Sequence, residues 1–563
     1  MRLTSFFSKR LAGRGGFEPP LADPESAVLP LDDLPKAEDI LSLYLPFVNY
    51  SSAVPGGKMM KDSKDVKYVI IQAGGKGTRM GKYTYNKPKA LVSVFGMPMI
   101  LQALKVFKHS KVIIIADYKY EVMRDYLLTF AKDYKYTLVR SFKTGTCAGL
   151  REALKYVPSG EKFLLVWSDL FLPDDFELTI EDGKNYVGLS GTFRCRWSFV
   201  DNRFVEEPSM ENGVAGFFIF SDKGLISDVP EEGEFVRYLS EKKIKFESFV
   251  LSGVREFGTI EEYERLFKEG VSRPFNRILI ENDLVKKIPV DEKGKTLWAK
   301  EVEWYRFVSE RGYKRIPQVL GFEPLTMKRI EGIHPFEHQP SPKILENIIG
   351  ALEELHNLTE TIEADRMSLD KEYFIKTFER LFQVVHLIPH AQKREFTVNG
   401  IKVINPLFIK DEIESMLKEI YPEKFMVIHG DPTFSNTLVS VNEEVFFIDP
   451  RGYFGYTSIY GDPDYDFAKV YYSVVGNYDM FNRKKFTLKI DEKGVELEIA
   501  DNGYSKFERE FFELVGNEKI WKIKLLHAII WLSLTTYAWD DYDMICGAFY
   551  NGALKLKEVL KEC

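Results

Sequence analysis

Residues 69–100 read VIIQAGGKGTRMGKYTYNKPKALVSVFGMPMI, and this stretch decides how the first half of the chain is interpreted. It begins with an apolar, β-branched run, the form expected of a strand buried on both faces. The run is followed at once by Gly74, Gly75, Gly77, Thr78 and Arg79. A glycine turn directly after a buried strand leaves backbone N–H groups to contact phosphate oxygens. The stretch therefore predicts a nucleotide triphosphate site.

Two lysines, Lys87 and Lys89, follow this glycine loop and are predicted to add positive charge to the phosphate site. Two better-known glycine motifs are excluded. The dinucleotide fingerprint G-x-G-x-x-G fails because Met80 stands at the third glycine position. A Walker A loop fails because Lys76 replaces its first glycine and Tyr83 replaces its serine or threonine.

Strands alternate with helices through the rest of the first predicted domain, residues 66–268. The pattern predicts strands over 111–119, 137–142 and 163–172 and helices over 98–108 and 120–132. This alternation favours a mostly parallel sheet with right-handed crossovers. Ligands of such sheets bind beyond the carboxyl ends of the strands. The glycine loop, the turn at Gly145 and Thr146, and Asp169 all fall at such ends.

The glycine loop and the lysine segment together resemble the signature of the nucleotidyltransferases that make nucleotide sugars and CDP-alcohols. The resemblance implies an α/β, Rossmann-like fold of the GT-A type. It implies that Gly74, Gly75, Gly77 and Thr78 hold the phosphates of the nucleotide. It also implies that Arg79 stabilises the leaving pyrophosphate and that Lys89 contacts the reacting phosphates.

The same resemblance assigns two carboxylates to Mg²⁺. Asp169 ends an apolar strand, where a carboxylate either caps a turn or holds Mg²⁺ against triphosphate oxygens. In the family, the matching aspartate is a Mg²⁺ ligand. Glu256 precedes a Gly-Thr pair, a place that the family commonly gives to a second aspartate. The resemblance further places Gly145 and Thr146 against the nucleotide base and residues 213–217 along the acceptor pocket. Arg194, Arg196 and Trp197 either face that pocket or are ordinary surface or core residues.

The second half of the chain, residues 275–563, carries a different chemical motif. Residues 429–436 read HGDPTFSN, and Asp449 follows at the end of a short strand. One carboxylate and one amide in a loop, followed by a second carboxylate, provide a base and two Mg²⁺ ligands for phosphoryl transfer. Hairpins predicted over 276–289, 396–404 and 486–499 and amphipathic helices between them indicate an α+β domain.

This pattern resembles the aminoglycoside phosphotransferase and choline kinase superfamily, which has the protein-kinase fold. The resemblance makes Asp431 the catalytic base, makes Asn436 and Asp449 the Mg²⁺ ligands, and lets His429 support the loop. Residues 325–332 match the hinge strand over the adenine. The ATP-binding residues it implies are a strand lysine, either Lys286 or Lys287, and a helix partner, Glu301 or Glu303.

Residues 448–474 most resemble kinase-like proteins of bacterial capsule gene clusters. Two acidic residues there, Asp464 and Asp466, either shape the acceptor site, or in the case of Asp466 anchor the following helix. Lys286 and Lys287 are adjacent on a predicted strand, where successive side chains point to opposite faces. Only one of these two lysines can therefore face the nucleotide.

Composition limits the remaining possibilities. The net charge of −7 argues against a general nucleic-acid binder, and four scattered cysteines fit a reducing cytoplasm without a zinc site. The longest apolar window, 525–539, is too short to span a bilayer. Residues 1–58 are rich in Gly, Pro and Asp, and we expect either a disordered leader or mistakenly translated upstream sequence, with no contribution to the core. The sequence sets no oligomeric state.

The two resemblances together predict a bifunctional transferase. The kinase-like domain would phosphorylate a sugar or an amino alcohol such as choline with ATP and Mg²⁺. The nucleotidyltransferase domain would join that phosphate to an NMP from CTP, UTP or GTP, again with Mg²⁺, and release pyrophosphate for cell-surface glycan synthesis. The partners are small molecules only. The alternative is a non-catalytic sensing or scaffold protein with degenerate domains.

Overall fold

A computed structural model describes residues 58–60, 66–173, 176, 178–269, 276–290 and 292–562. The predictions for residues 1–57 lie outside these described residues. The strand Lys58–Met60 pairs antiparallel with Leu178–Ile180, so the end of the predicted leader takes part in a two-stranded sheet.

A nine-stranded sheet forms the first domain, and its centre is the strand Tyr68–Gln72. Val69, Ile70 and Ile71 are fully buried, as a strand covered on both faces requires. Seven strands lie in the spatial order Arg203–Val205, Ser198–Val200, Gly213–Phe220, Phe163–Trp167, Tyr68–Gln72, Lys111–Ala116 and Tyr136–Arg140, and Tyr186–Ser190 and Glu247–Val250 complete the sheet. The last four strands of that row are mutually parallel, which confirms the predicted fold.

Helices connect these strands. They are Met99–Val106, Tyr120–Phe130, Leu150–Ala153, Phe235–Ser240 and Ile260–Glu269. The crossovers bring the carboxyl ends of the parallel strands to one edge of the sheet. The glycine loop follows the central strand at this edge, and Asp169 follows the neighbouring strand Phe163–Trp167.

The second domain opens with the predicted hairpin, Asn276–Glu281 and Leu284–Pro289. Two more strands, Leu325–Lys328 and Val319–Phe322, extend it to four strands, and the helix Glu292–Glu310 packs on it. Short strands lie around the loop of residues 429–436: Gly332–Ile333, Ile362–Glu363, Lys424–Val427, Thr437–Ser440, Val445–Phe447, Tyr453–Phe454, Thr457–Ser458 and Tyr460–Gly461. The helices that follow the hairpin sheet are Glu292–Glu310, Pro342–His356, Arg366–Leu369, Lys376–Val384, Lys410–Glu419, Pro463–Val474, Tyr478–Asn482, Glu508–Val515, Ile520–Ser533 and Tyr542–Glu562.

The two later predicted hairpins join into one sheet. Its strands lie in the order Ile401–Ile404, Glu395–Val398, Val495–Ile499 and Phe486–Ile490. The apolar window at 525–539 becomes the helix Ile520–Ser533 and the turns after it, and residues Leu525 to Leu532 are buried. Within the part of the chain that the structure describes, no helix has the length and apolar character needed to cross a membrane.

Candidate active sites

The glycine loop packs directly against the lysine segment that follows it. Gly77 has φ of 68°, which favours glycine, and a Cβ there would lie 2.8 Å from the Cβ of Lys89. Only a residue without a side chain allows this approach. The loop therefore brings Lys89 beside the backbone that is predicted to contact phosphates.

Lys89 forms an ion pair with Asp169 across the end of the sheet. Their side chains are 11% and 13% exposed, and Lys89 Nζ contacts Asp169 Oδ2. The other oxygen, Oδ1, is buried and has no hydrogen-bond partner among the described residues. Because a buried carboxylate oxygen without a partner is costly, this atom is suited to an additional cation.

Glu256 lies next to Asp169 because of local strand pairing. The short strand Arg255–Glu256 pairs with Leu170–Phe171, and Phe257 N–H donates to the carbonyl of Asp169 over 3.1 Å. Burial and the charge of Asp169 raise the pKa of Glu256. Two carboxylates that repel each other in a partly buried place can hold a divalent cation with oxygen ligands.

Arg79 stands at the mouth of this site. Its Nη2 lies 3.6 Å from Oε1 of Glu256, and its side chain is 66% exposed. Thr78 begins the helical turn Thr78–Thr84 that carries Arg79. An exposed arginine that is tethered at one end can reach a bound anion without losing a buried ion pair.

The turn at Gly145 and Thr146 is fixed at the same edge of the sheet. Gly145 has φ of 95°, and a Cβ there would lie 2.2 Å from the carbonyl oxygen of Gly233. The Thr146 hydroxyl accepts from Phe235 N–H over 2.8 Å, and the Gln72 side chain donates to the Thr146 carbonyl. Gln72 ends the central strand, so the turn lies beside the glycine loop; its contact with a base stays a prediction.

Three other residues of the predicted first site lie elsewhere. Lys87 is buried against the second domain, away from Asp169, so its predicted role in the phosphate site is wrong. Arg196 is exposed and pairs with Glu206 and Glu234 on the surface. Trp197 is 5% exposed and belongs to the core.

The sequence reasoning missed Trp167 as a candidate acceptor-site residue. Its ring packs on Gly216, where a Cβ would lie 2.1 Å from the indole. The indole Nε1 is buried and has no hydrogen-bond partner among the described residues. Trp167 ends the strand before Asp169, and the glycine lies within residues 213–217 predicted to line the acceptor pocket. An aromatic residue at a strand end beside a motif carboxylate is the signal that could have found it.

Lys287, not Lys286, faces the second site. Its ammonium lies 2.6 Å from Glu301 Oε2 and 3.0 Å from Asp449 Oδ1, and the lysine is 6% exposed. Burial alone would lower its pKa, but the charges of Asp449 and Glu301 together raise it. Lys286 points outward and pairs with Glu281 over 2.7 Å, so the geometry favours Lys287 of the two alternatives, and its contact with ATP stays a prediction. Glu303 is exposed on the opposite face of the helix.

The loop of residues 429–436 is held together by hydrogen bonds among its own motif residues. Asn436 Nδ2 donates to Asp431 Oδ2 over 2.9 Å and to the Asp431 carbonyl over 2.8 Å. Ile448 N–H donates to the carbonyl of Asn436, which places Asp449 beside the loop. Because the amide nitrogen of Asn436 is turned to Asp431, its amide oxygen faces away from that carboxylate.

His429 supports this loop as a neutral imidazole. Burial lowers its pKa, its Nδ1 accepts from Asp431 N–H, and its Nε2 contacts the Ile448 carbonyl at 3.1 Å. Asp466, fully buried, accepts from the N–H groups of His429 and Gly430, each over 2.8 Å. Asp466 therefore anchors the loop of residues 429–436 through backbone bonds and has no exposed surface to offer an acceptor.

Lys469, which the sequence reasoning missed, forms an ion pair with the predicted base. Its Nζ lies 3.0 Å from Asp431 Oδ1, and its side chain is 16% exposed. The rings of Tyr465 and Tyr472 lie 5.6 and 5.8 Å from the same ammonium. Asp464 pairs with two lysines of a later segment, Lys519 and Lys522, and so does not offer a free charge.

Each site offers oxygen ligands of the kind that Mg²⁺ prefers. Asp169 and Glu256 provide them in the first domain, and Asn436 and Asp449 in the second. No group of three or more His, Cys, Asp or Glu residues that could hold a metal occurs among the described residues. Carboxylate and amide oxygens of this kind fit a cation shared with nucleotide phosphates, and Mg²⁺ at both sites stays a prediction.

Comparison with known proteins agrees with this division. Residues 69–179 match the family model of the MobA-like NTP transferase domain, and residues 266–486 match that of the phosphotransferase enzyme family. Probable mannose-1-phosphate guanylyltransferase 3 of Oryza sativa subsp. japonica is 34% identical over 127 residues, 21% of this chain and 35% of that protein. The chain thus spans about a third of the length of this relative.

Further similarities were found for each half. Glucose-1-phosphate cytidylyltransferase of Salmonella typhimurium is 27% identical over 190 residues, 27% of this chain and 74% of that protein. The solved structure of HddC from Yersinia pseudotuberculosis has 22% identity and a TM-score of 0.31, covering 36% of this chain and 99% of that one. A choline/ethanolamine kinase family protein from Mesorhizobium loti has 16% identity and a TM-score of 0.33, covering 51% and 86%. The chain joins a MobA-like NTP transferase domain to a domain of the phosphotransferase enzyme family.

Proposed function

We propose that this protein is a cytoplasmic bifunctional enzyme that activates a sugar in two consecutive steps. The second domain phosphorylates a sugar hydroxyl with ATP. The first domain then joins that phosphate to an NMP from GTP, CTP or UTP and releases pyrophosphate for cell-surface glycan synthesis. The pairing of the two chemistries supports this order, because a kinase makes the phosphomonoester that a nucleotidyltransferase consumes. The relatives of the first domain are named for sugar 1-phosphates, which is a second support.

In the phosphorylation step, Asp431 accepts the proton of the sugar hydroxyl as its oxygen attacks the γ-phosphorus of ATP. The bond from that phosphorus to the oxygen of ADP breaks. Lys287, held by Glu301, is positioned to bind the phosphates, and Mg²⁺ on Asn436 and Asp449 would neutralise their charge. The second step is an attack by an oxygen of the sugar phosphate on the α-phosphorus of the nucleotide.

Pyrophosphate leaves in that second step, as the bond between the α-phosphorus and the bridging oxygen breaks. Lys89 is placed to contact the reacting phosphate, and Arg79 is placed to meet the departing pyrophosphate. Mg²⁺ on Asp169 and Glu256 would offset the negative charge of the triphosphate. Both steps depend mainly on positioning and charge neutralisation.

Lys469 is the observation that favours a sugar over choline as the acceptor. Its ammonium stands 3.0 Å from the base Asp431, where the acceptor hydroxyl must come. Because Lys469 already pairs with the Asp431 carboxylate, that carboxylate offers a quaternary ammonium little net electrostatic attraction. Tyr465 and Tyr472, the aromatic rings near the base, already face this lysine and so do not form an open cage for a second cation.

A product screen tests the proposal. The purified full chain is incubated with ATP and Mg²⁺ and either free hexoses or choline, then with GTP, CTP or UTP, and products are identified by mass spectrometry. We expect a sugar phosphate and then a nucleotide sugar. Asp431→Asn should stop the first step only, and Asp169→Asn should stop only the conversion of supplied sugar 1-phosphate. Phosphorylation of choline but of no sugar, or an unaffected first step in Asp431→Asn, would contradict the proposal.

A further inference from the structure

Lys87 joins the two domains through buried ion pairs. It lies on the nucleotidyltransferase side, two residues before Lys89, and its side chain is 2% exposed. Its ammonium is 2.5 Å from Asp541 Oδ1 and 2.9 Å from Asp543 Oδ2, both in the second domain. Burial alone would lower its pKa, but the charges of Asp541 and Asp543 raise it, so the lysine stays protonated.

The preceding residue, Asn86, is held just as firmly by the second domain. Its Nδ2 donates to the carbonyl of Leu488 and to Asp543 Oδ1, each over 2.9 Å. Its Oδ1 accepts from Ile490 N–H over 3.0 Å. The side chain of Asn86 thus takes the place of a neighbouring strand along the edge of Phe486–Ile490, and all of these bonds are buried or nearly so.

Contacts continue on the other side of Lys89. Ser93 Oγ donates to Asp540 Oδ2 over 2.9 Å, and within the second domain Lys484 Nζ lies 2.7 Å from Asp541 Oδ2. Pro88 lies between Lys87 and Lys89, and its ring fixes its own φ. Successive Cα atoms are about 3.8 Å apart, so the Cα of Lys89 lies within roughly 8 Å of the Cα of Lys87, which the second domain holds in place.

We propose that the phosphotransferase-family domain is a structural part of the nucleotidyltransferase site. Lys87, gripped by Asp541 and Asp543, is a positioning residue that holds Lys89 against Asp169. The placement of residues 86–94 is a property of the folded chain, whereas its consequence for catalysis rests on the proposed nucleotidyl transfer. The first domain therefore reaches its full phosphate-binding geometry only with the second domain docked.

Hydrogen exchange measured by mass spectrometry on the full chain tests the placement without any activity. Leu91 and Val92 donate their N–H groups to the carbonyls of Pro88 and Lys89, so their exchange rates report the order of this segment. In the double variant Asp541→Asn/Asp543→Asn we expect these amides to exchange at least tenfold faster. The strand Tyr68–Gln72 should keep its protection.

The matched control is Glu496→Gln, which removes a carboxylate from an exposed position of the same second-domain sheet. It should leave the exchange of residues 86–94 unchanged. Should the double variant fail to fold, Asn86→Ala removes the three side-chain hydrogen bonds of Asn86 without leaving a buried charge, and the same acceleration is expected. Unchanged exchange in a folded variant, either the double variant or Asn86→Ala, would overturn the proposal.

Activity provides a second readout, with GTP and mannose 1-phosphate, or CTP and glucose 1-phosphate, as probes. Lys87→Met should raise the KM for the nucleotide at least tenfold, and Lys87→Arg should restore most of the loss because it keeps the ion pairs. A fall in protein yield alone, with KM unchanged, would mean a merely structural role and would overturn the positioning. If the unaltered protein releases no pyrophosphate with any sugar 1-phosphate, the proposed function fails while the exchange result still decides the placement.

Discussion

Replacing Lys287 by methionine should show which of the two adjacent lysines of the second domain serves phosphorylation. Lys287 lies 2.6 Å from Glu301 and 3.0 Å from Asp449, with its side chain 8% exposed. Methionine has a similar length but no charge, so the variant leaves two carboxylates facing each other in a mostly buried place. Removal of one partner from a buried ion pair typically costs about 3–5 kcal/mol, and we expect a loss of stability of this order.

The rate of phosphorylation should fall by a larger factor than folding alone explains. Loss of one preorganised charge at the transferred phosphate is typically worth about 10²–10³ in kcat. Lys286→Met is the matched control, since Lys286 forms only an exposed pair with Glu281 that is worth at most about 1 kcal/mol. Its kcat should stay within twofold of the unaltered protein.

The assay couples ADP release to a spectrophotometric signal, with the sugar identified in the product screen. Thermal unfolding is measured on the same preparations, and the rates are compared at a temperature where each variant is folded. Equal losses of kcat in Lys286→Met and Lys287→Met would refute the assignment. Full kcat in a folded Lys287→Met would refute the reasoning altogether.

Two further predictions concern the helix glutamates and a buried histidine. Glu301→Gln should lower kcat with ATP at least tenfold because Glu301 positions the strand lysine, whereas Glu303→Gln, on the exposed face, should not; equal effects in the ADP assay would contradict this. Burial lowers the pKa of His527, whose Nε2 accepts from the Trp531 indole over 2.9 Å. Because the unfolded chain then binds a proton that the folded chain does not, the contribution of His527 to the free energy of unfolding is complete above about pH 6.5 and declines below it. Denaturant unfolding between pH 6.5 and 5 should show His527→Gln flattening the pH dependence by up to about 1.4 kcal/mol per pH unit, and an unchanged slope would show that His527 does not cause it.

Local sequence was sufficient for the motif loops. The glycine loop and the segment HGDPTFSN are held by contacts among residues close in sequence, such as the bonds from Asn436 to Asp431. Hairpin turns were predictable for the same reason: Asn399 has φ of 52° at the predicted Asn-Gly turn. Elements with a strong local pattern therefore had the predicted type, and their ends shifted by a few residues.

Long-range packing decided what the sequence left open. Alternation required one of two lysines to face ATP, but only the helix carrying Glu301 selects Lys287. Lys469 comes to the predicted base Asp431 from a helix 38 positions later in the chain, and no sequence motif marks it. Lys87 was predicted to serve the phosphate site because it shares a short segment with Lys89, while its partners stand more than 450 positions away.

The interface between the domains explains why Lys87, which follows the glycine loop, pairs with aspartates of the second domain. Burying a lysine with two aspartates costs desolvation free energy, and the ion pairs offset this cost only in one geometry. Such a cluster therefore favours one specific arrangement of the two domains. Lys484 keeps Asp541 paired within the second domain, so separation of the domains would free Lys87 and Asn86 into water rather than trap a charge. The first domain expressed alone should then fold around its sheet yet hold Lys89 loosely, which links the second transfer step to the presence of the domain proposed to supply its substrate.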